Sequence, residues 1–127
     1  VNTPVLAAFD WLRDNTDSGS IVVTTATEGG HNYGWWIEGY AHIPTYTAGD
    51  PFLFFFAEER AQVELARRIL IPDTPPREMR VLAEQHNIQF LFLDKKVLQK
   101  TLIDLYRAGF VKRFENEAIL IMENKEF

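Results

Sequence analysis

Between Glu28 and Asp50 the chain gathers the residue types that do chemistry: the imidazoles of His31 and His42, the carboxylates of Glu28, Glu38 and Asp50, and the rings of Tyr33, Trp35, Trp36 and Tyr40. Imidazoles and carboxylates move protons or ligate metals, whereas Tyr and Trp offer a flat apolar face with a polar edge to a partner. The stretch HNYGWWIEGY, residues 31–40, holds two of the three tryptophans in the chain.

Spacing decides which chemistry survives. A metal site would use His31, Glu38 and His42, with Glu38 and His42 four apart as on one helix face. Gly39 lies between them and Pro44 follows, and two histidines eleven apart match no known ligand spacing. A phosphate cradle would use the backbone N–H groups of Gly29, Gly30 and Gly34, yet neither GxGxxG nor a P-loop is present. Ser18 and Ser20 are the only serines, and neither stands in a GxSxG elbow. No catalytic set, metal or cofactor is therefore expected. The candidate ligand- or partner-binding residues are His31, Tyr33, Trp35, Trp36, Glu38, Tyr40 and Asp50. Beside this stands a purely structural reading, in which the two indoles supply bulk at the margin of a short sheet and Phe52 to Phe56 belong to the core. If the segment is extended, Trp35 and Trp36 point to opposite sides, one into the core and the other to the surface.

The elements that must position these residues follow from periodicity. Thr3-Pro4 opens a helix along which Val5, Ala8, Phe9 and Leu12 recur at helical spacing, stopping at the polar run Asp14 to Gly19. Ser20 to Thr25 is β-branched and reads as a buried strand. The aromatic segment after it is expected to be irregular, with at most one helical turn over Trp35 to Tyr40 and a short strand over Pro44 to Ala48. Asp50-Pro51 opens a helix reaching Leu70, or its first turn is extended and the helix begins near Ala57. After the break at Pro72 to Pro76, Met79, Leu82, Ala83 and His86 form a helical face, and Asn87 suits the left-handed residue that ends a helix. Ile88 to Leu93 is apolar at nearly every position, the pattern of a central strand covered on both faces. Val97 to Leu105 continues as a helix ended by Gly109, and Phe110–Phe114 and Ala118–Met122 form a hairpin around a turn at Glu115 to Glu117. The fold class is α/β: a single-domain layered sandwich with a mostly parallel sheet, helices packed on it and a C-terminal antiparallel β-hairpin.

Composition narrows the partners. The 127 residues fit one domain, and 46% hydrophobic with 24% charged residues is a globular balance. A formal charge of −5 with scattered basic residues argues against nucleic acid, whose binding needs clustered Lys and Arg. The chain has no cysteine, so disulfides and thiolate metal sites are absent. Its longest apolar run, Pro51 to Ala57, is far short of the roughly 20 residues of a membrane-spanning helix. An opening at Val1, with helical character a few residues later, leads us to expect a fragment of a longer protein.

The order of these motifs adds a resemblance. A helix ending in Trp11-Leu-Arg-Asp-Asn-Thr16, the strand Ile21-Val-Val-Thr-Thr25, the run Tyr33 to Tyr40, Pro44 to Pro51 and then a Glu/Ala-rich helix resembles the extracytoplasmic portion of multi-spanning membrane glycosyltransferases. That broad family includes the catalytic subunit of oligosaccharyltransferase. Gln85 to Asp94 through Glu117 to Met122 is similar to the closing strand, helix and hairpin of such domains. In oligosaccharyltransferase a Trp-Trp-Asp-Tyr-Gly motif helps recognise the hydroxyl of the acceptor; Trp35 and Trp36 match it, Ile37 stands where its Asp belongs, and Glu38 follows one position later. The resemblance implies a non-catalytic domain on the extracytoplasmic face of the cell membrane. Its implied partners are the membrane-embedded part of the same parent chain and a glycan, lipid-linked sugar or peptide acceptor. The alternative is a free-standing α/β module that binds a small polar ligand or a protein.

Overall fold

The computed structural model describes residues 3–25, 33–47 and 57–126. Five strands and five helices are described among them: α1 (Thr3–Asn15), β1 (Ile21–Thr24), α2 (Tyr33–Ala41), β2 (Thr45–Thr47), α3 (Ala57–Leu70), α4 (Pro76–Gln85), β3 (Ile88–Asp94), α5 (Leu102–Arg107), β4 (Phe110–Glu115) and β5 (Ile119–Asn124). The strands form one sheet in the order β2-β1-β3-β5-β4. No described helix is long and apolar enough to cross a membrane.

The run of apolar residues in β3 does mark the centre. All seven residues of β3 are buried. Leu91 and Leu93 join a cluster with Ile69, Met79, Leu82 and Leu105 on the face covered by α3, α4 and α5. Phe90 and Phe92 join Phe9, Leu12, Ile37 and Ala41 on the face covered by α1 and α2. Alternation along an extended chain feeds two cores from one strand, which is why no position in β3 is free to be exposed.

Two features differ from the sequence reading. The sheet is mixed rather than mostly parallel: β1 pairs parallel with β2 and with β3, while β5 pairs antiparallel with both β3 and β4. The hairpin forms one edge of the sheet, as expected, with its second strand seated directly against the central strand, so antiparallel pairing reaches the middle of the sheet. The aromatic segment, expected to be irregular, is the nine-residue helix α2. Ile37 is fully buried and Ala41 nearly so, and these two, four apart, make the stripe that docks the helix. Burial of that stripe outweighs the intrinsic cost of Gly34 and Gly39, about 1 kcal/mol each against Ala.

Boundaries shift for local reasons. Strand β1 is shorter than the expected Ser20–Thr25, and β2 is described over Thr45–Thr47 with Ala48 outside the described residues. Phe52, Phe55 and Phe56 also lie outside, and α3 is described from Ala57. The last helix begins at Leu102 instead of Val97, because Thr101 caps it by accepting the Asp104 N–H at 3.2 Å. The hairpin turn falls at 116–118, where the Asn116 side chain accepts the N–H groups of Ala118 and Ile119. Strand β4 lies at the edge with exposed Lys112, Arg113 and Glu115 and a register shift between Lys112 and Phe114. Charges and an irregularity of this kind discourage pairing with another chain.

Two tethers fasten the helical layer. Lys100, almost wholly buried, donates from Nζ to the carbonyls of Pro72 (3.2 Å) and Thr74 in the α3–α4 turn; burial pushes its pKa down. Arg80 on α4 lies over the Phe110 ring at 5.9 Å and donates to the Ala108 carbonyl at 3.3 Å. It passes against Gly109, which ends α5 with φ +93°. A Cβ there would collide with Nη1 of Arg80. Gly109→Ala should thus cost about 1–2 kcal/mol from the left-handed backbone alone, with the displacement of Arg80 added. A urea midpoint equal to wild type would show that this close approach does not constrain the fold.

Candidate functional site

Helix α2 carries most of the sequence-predicted residues, and its direction separates them. The chain leaves the carboxyl end of β1 and re-enters the sheet at the amino end of β2, parallel to β1. The first turn of α2, with Tyr33, Trp35 and Trp36, therefore belongs to the carboxyl end of the crossover, and its last turn, with Glu38 and Tyr40, to the amino end. Nine helical residues span about 13 Å, so the candidates do not converge on one point. The helix also removes the basis for placing Trp35 and Trp36 on opposite sides, since successive helical residues are rotated by about 100° rather than 180°. The side chains of Tyr33, Trp35 and Trp36 lie outside the described residues, as do His31 and Asp50 entirely.

Glu38 and Tyr40 have partners that explain them locally. The Glu38 carboxylate accepts the backbone N–H of Thr45 at 3.2 Å and its hydroxyl at 3.1 Å, joining the last turn of α2 to the first residue of β2. Tyr40 donates its hydroxyl to Asp10 Oδ1 at 2.6 Å, and the Arg13 guanidinium lies 5.1 Å from the centre of its ring. Arg13 in turn reaches Asp10 at 3.3 Å. The contact with Tyr40 comes first, with Asp14 and Asp10 adding to it, in raising the pKa of Arg13. Tyr40 and Arg13 are exposed and the Asp10 carboxylate is half-exposed, so solvent screens the cluster and its brace between α2 and α1 is weak.

His42 adopts φ +58° and donates its N–H to the Glu38 carbonyl at 3.1 Å, so it is the left-handed residue that ends α2. Its imidazole therefore does not continue the helix face that bears Glu38. Among the described residues no group of three His, Asp or Glu side chains is placed to hold a metal ion.

Sequence reasoning missed two places. One is a cleft of about 300 Å³ at the amino edge, bounded by Arg13, Asp17, Ser18, His42 and Pro44. The WLRDNT run hinted at it only by ending a helix there. The other is the carboxyl edge shared by β1 and β3. There Thr25 donates its N–H to the Phe92 carbonyl at 3.1 Å, and Asp94 donates its N–H to Thr25 Oγ1 at 2.9 Å. Asp94, only 7% exposed, was passed over as the polar end of an apolar strand.

No family model and no curated protein matches the chain. Among solved structures, the C-terminal globular domain of an oligosaccharyltransferase from Archaeoglobus fulgidus superposes with a TM-score of 0.65 at 12% identity, covering 97% of both chains. A likeness so complete in length and so slight in sequence establishes a common fold: the chain is a small α/β domain built, from end to end, on the plan of that oligosaccharyltransferase domain.

Proposed function

We propose that this chain is a non-catalytic accessory domain of a membrane glycosyltransferase-like protein, held on the extracytoplasmic face. Its tryptophan- and tyrosine-rich segment contributes a surface for a ligand or acceptor. The observation that carries the reading is the position of the first turn of α2. It opens the crossover that leaves the carboxyl end of β1, the edge where open α/β sheets hold their ligands, and the fold around it is that of an oligosaccharyltransferase domain. The chemistry of transfer then belongs to the membrane-embedded part of the parent chain, and the partner here is a peptide acceptor, a glycan or a lipid-linked sugar.

The test is an NMR titration of the ¹⁵N-labelled chain with N-acetyl-Asn-Ala-Thr-amide and, separately, with chitobiose. The expected result is a saturable shift of the 33–36 amides with one of the two, weakened about tenfold or more by Trp35→Ala or Trp36→Ala, the size of effect seen when an aromatic anchor is truncated. Indifference of those amides to both probes would withdraw the reading. A second reading, a free-standing module for a small polar ligand, draws on the cleft beside Arg13 and His42; shifts confined to that cleft would favour it.

A further inference from the structure

The basic residues come singly or in pairs along the sequence, but they are not evenly spread. Residues 95–113 hold six of the thirteen Lys and Arg and only one of the eighteen Asp and Glu, a net +5 within a chain of net −5. The segment runs from the end of β3 through α5 into β4. Lys100 is buried, and Arg113 is paired with Glu123 at 3.1 Å. The other four, Lys95, Lys96, Arg107 and Lys112, are exposed. Glu115 takes both Lys95, at 2.6 Å, and Lys112, at 3.1 Å, so two lysines share one carboxylate.

Apolar side chains are exposed in the same place. Of the six large hydrophobic side chains exposed among the described residues, three belong to the short helix α5: Leu102, Ile103 and Tyr106. At about 100° per residue they share one arc of the helix, turned away from the buried Leu105. Ile103, at 63% exposed, is the most open of the six. Tyr106 adjoins Lys112, whose pKa is raised chiefly by its hydrogen bond to Glu115, with Tyr106 adding to the rise. One exposed hydrophobe needs no explanation, but three on one arc beside exposed lysines mark a surface that meets something.

We propose that this face of α5, with Leu102, Ile103 and Tyr106 as anchors and the basic side chains around them, rests on an anionic lipid surface. Aliphatic side chains and a tyrosine enter the boundary between headgroups and acyl chains while Lys and Arg meet the phosphates, the combination that holds amphipathic segments at a bilayer surface. The rest of the chain, at net −10, is repelled by the same surface, so the domain has one approach and a fixed orientation. The choice of a membrane over an acidic protein rests on the function proposed above, in which the parent chain is membrane-embedded. Such a tether raises the local concentration and lets a weak contact suffice.

The test titrates the ¹⁵N-labelled chain with small vesicles of phosphatidylglycerol and phosphatidylcholine in equal parts, with vesicles of phosphatidylcholine alone, and with polyglutamate as an acidic polypeptide. The mixed vesicles should broaden the 102–107 and 112 amides at low salt, and a spin-labelled lipid should deepen the loss there first. About 0.5 M NaCl should abolish the effect by screening. Arg107→Gln should weaken the binding about fivefold, the worth of one basic side chain near an anionic surface; Ile103→Asp should weaken it more, because it removes an anchor and adds a repelled charge. Ile103 is exposed and a carboxylate suits the first turn of a helix, so that variant should stay folded; if a thermal melt shows otherwise, Ile103→Ser carries the comparison. Equal binding to phosphatidylcholine alone, broadening centred elsewhere, tighter binding of polyglutamate, an affinity unchanged in the folded variants, or no binding would each overturn the inference. The two readings fail separately. A peptide or sugar that shifts 33–36 in a chain indifferent to vesicles sinks this inference alone, and vesicle binding through α5 with 33–36 silent to both probes sinks only the ligand surface proposed above.

Discussion

Phe92→Ala should lower the unfolding free energy by about 3–5 kcal/mol, the range for a large aromatic removed from a core that can only partly collapse. Phe92 is fully buried in the central strand, and its ring stacks on Phe9 of α1 at 5.4 Å between centroids. Beside it Trp11 meets the edge of Phe90 at 5.3 Å and lies 6.0 Å from Phe114. Rings so interlocked are held by strands on one side and a helix on the other, so neighbours cannot slide into the vacated volume. Urea unfolding with an unchanged slope is the measurement. A loss under about 1 kcal/mol would mean that α1 closes onto the sheet without this ring.

Gln89→Leu should cost about 2–3 kcal/mol despite adding apolar surface to a site that is 2% exposed. The amide oxygen of Gln89 accepts the Asp17 N–H at 2.9 Å and the Ser20 hydroxyl at 2.8 Å. Its nitrogen donates to Asp17 Oδ2 at 3.2 Å and Glu123 Oε2 at 3.4 Å. Leucine removes the acceptor shared by the Asp17 N–H and the buried Ser20 hydroxyl, and that loss carries the penalty, while the carboxylates of exposed Asp17 and partly exposed Glu123 can turn to water. Gln89→Glu separates this from packing: it sets a third carboxylate beside Asp17 and Glu123, whose mutual repulsion holds its protonated form in the folded chain. Its destabilisation should then shrink as pH falls through the carboxylate range, whereas that of Gln89→Leu should not. Chemical denaturation of both variants at neutral and acid pH distinguishes them.

Much of the architecture was legible because a local pattern had one structural solution. An apolar run as long as Ile88 to Leu93 can be satisfied only with cover on both faces, and β3 has it. Asn87 and Gly109 were expected to be left-handed helix ends, and their φ values are +57° and +93°. The failures share a different cause. Helix α2 is a helix because Ile37 and Ala41 find a sheet to lie on, and no window around two glycines contains that sheet. The mixed sheet follows from seating β5 between β3 and β4, a choice of neighbour on which hairpin periodicity is silent. The candidate site was blurred for the same reason. Glu38 finds Thr45 seven residues on and Tyr40 finds Asp10 thirty residues back, and such partners turn an apparent cluster of reactive side chains into braces.

The side-chain amide of Asn116 donates to the carbonyl of Pro4 at 2.8 Å, across 112 residues of sequence. It joins the first helix to the last turn, and the surface on which α1 rests includes Ile119 and Ile121 of the final strand. During synthesis Val5, Phe9 and Leu12 thus emerge long before the platform they need exists. The nascent domain must carry an unsatisfied greasy helix until its closing hairpin leaves the ribosome, which makes the arrival of that hairpin, rather than the making of any single helix, the step that commits the domain to its native state.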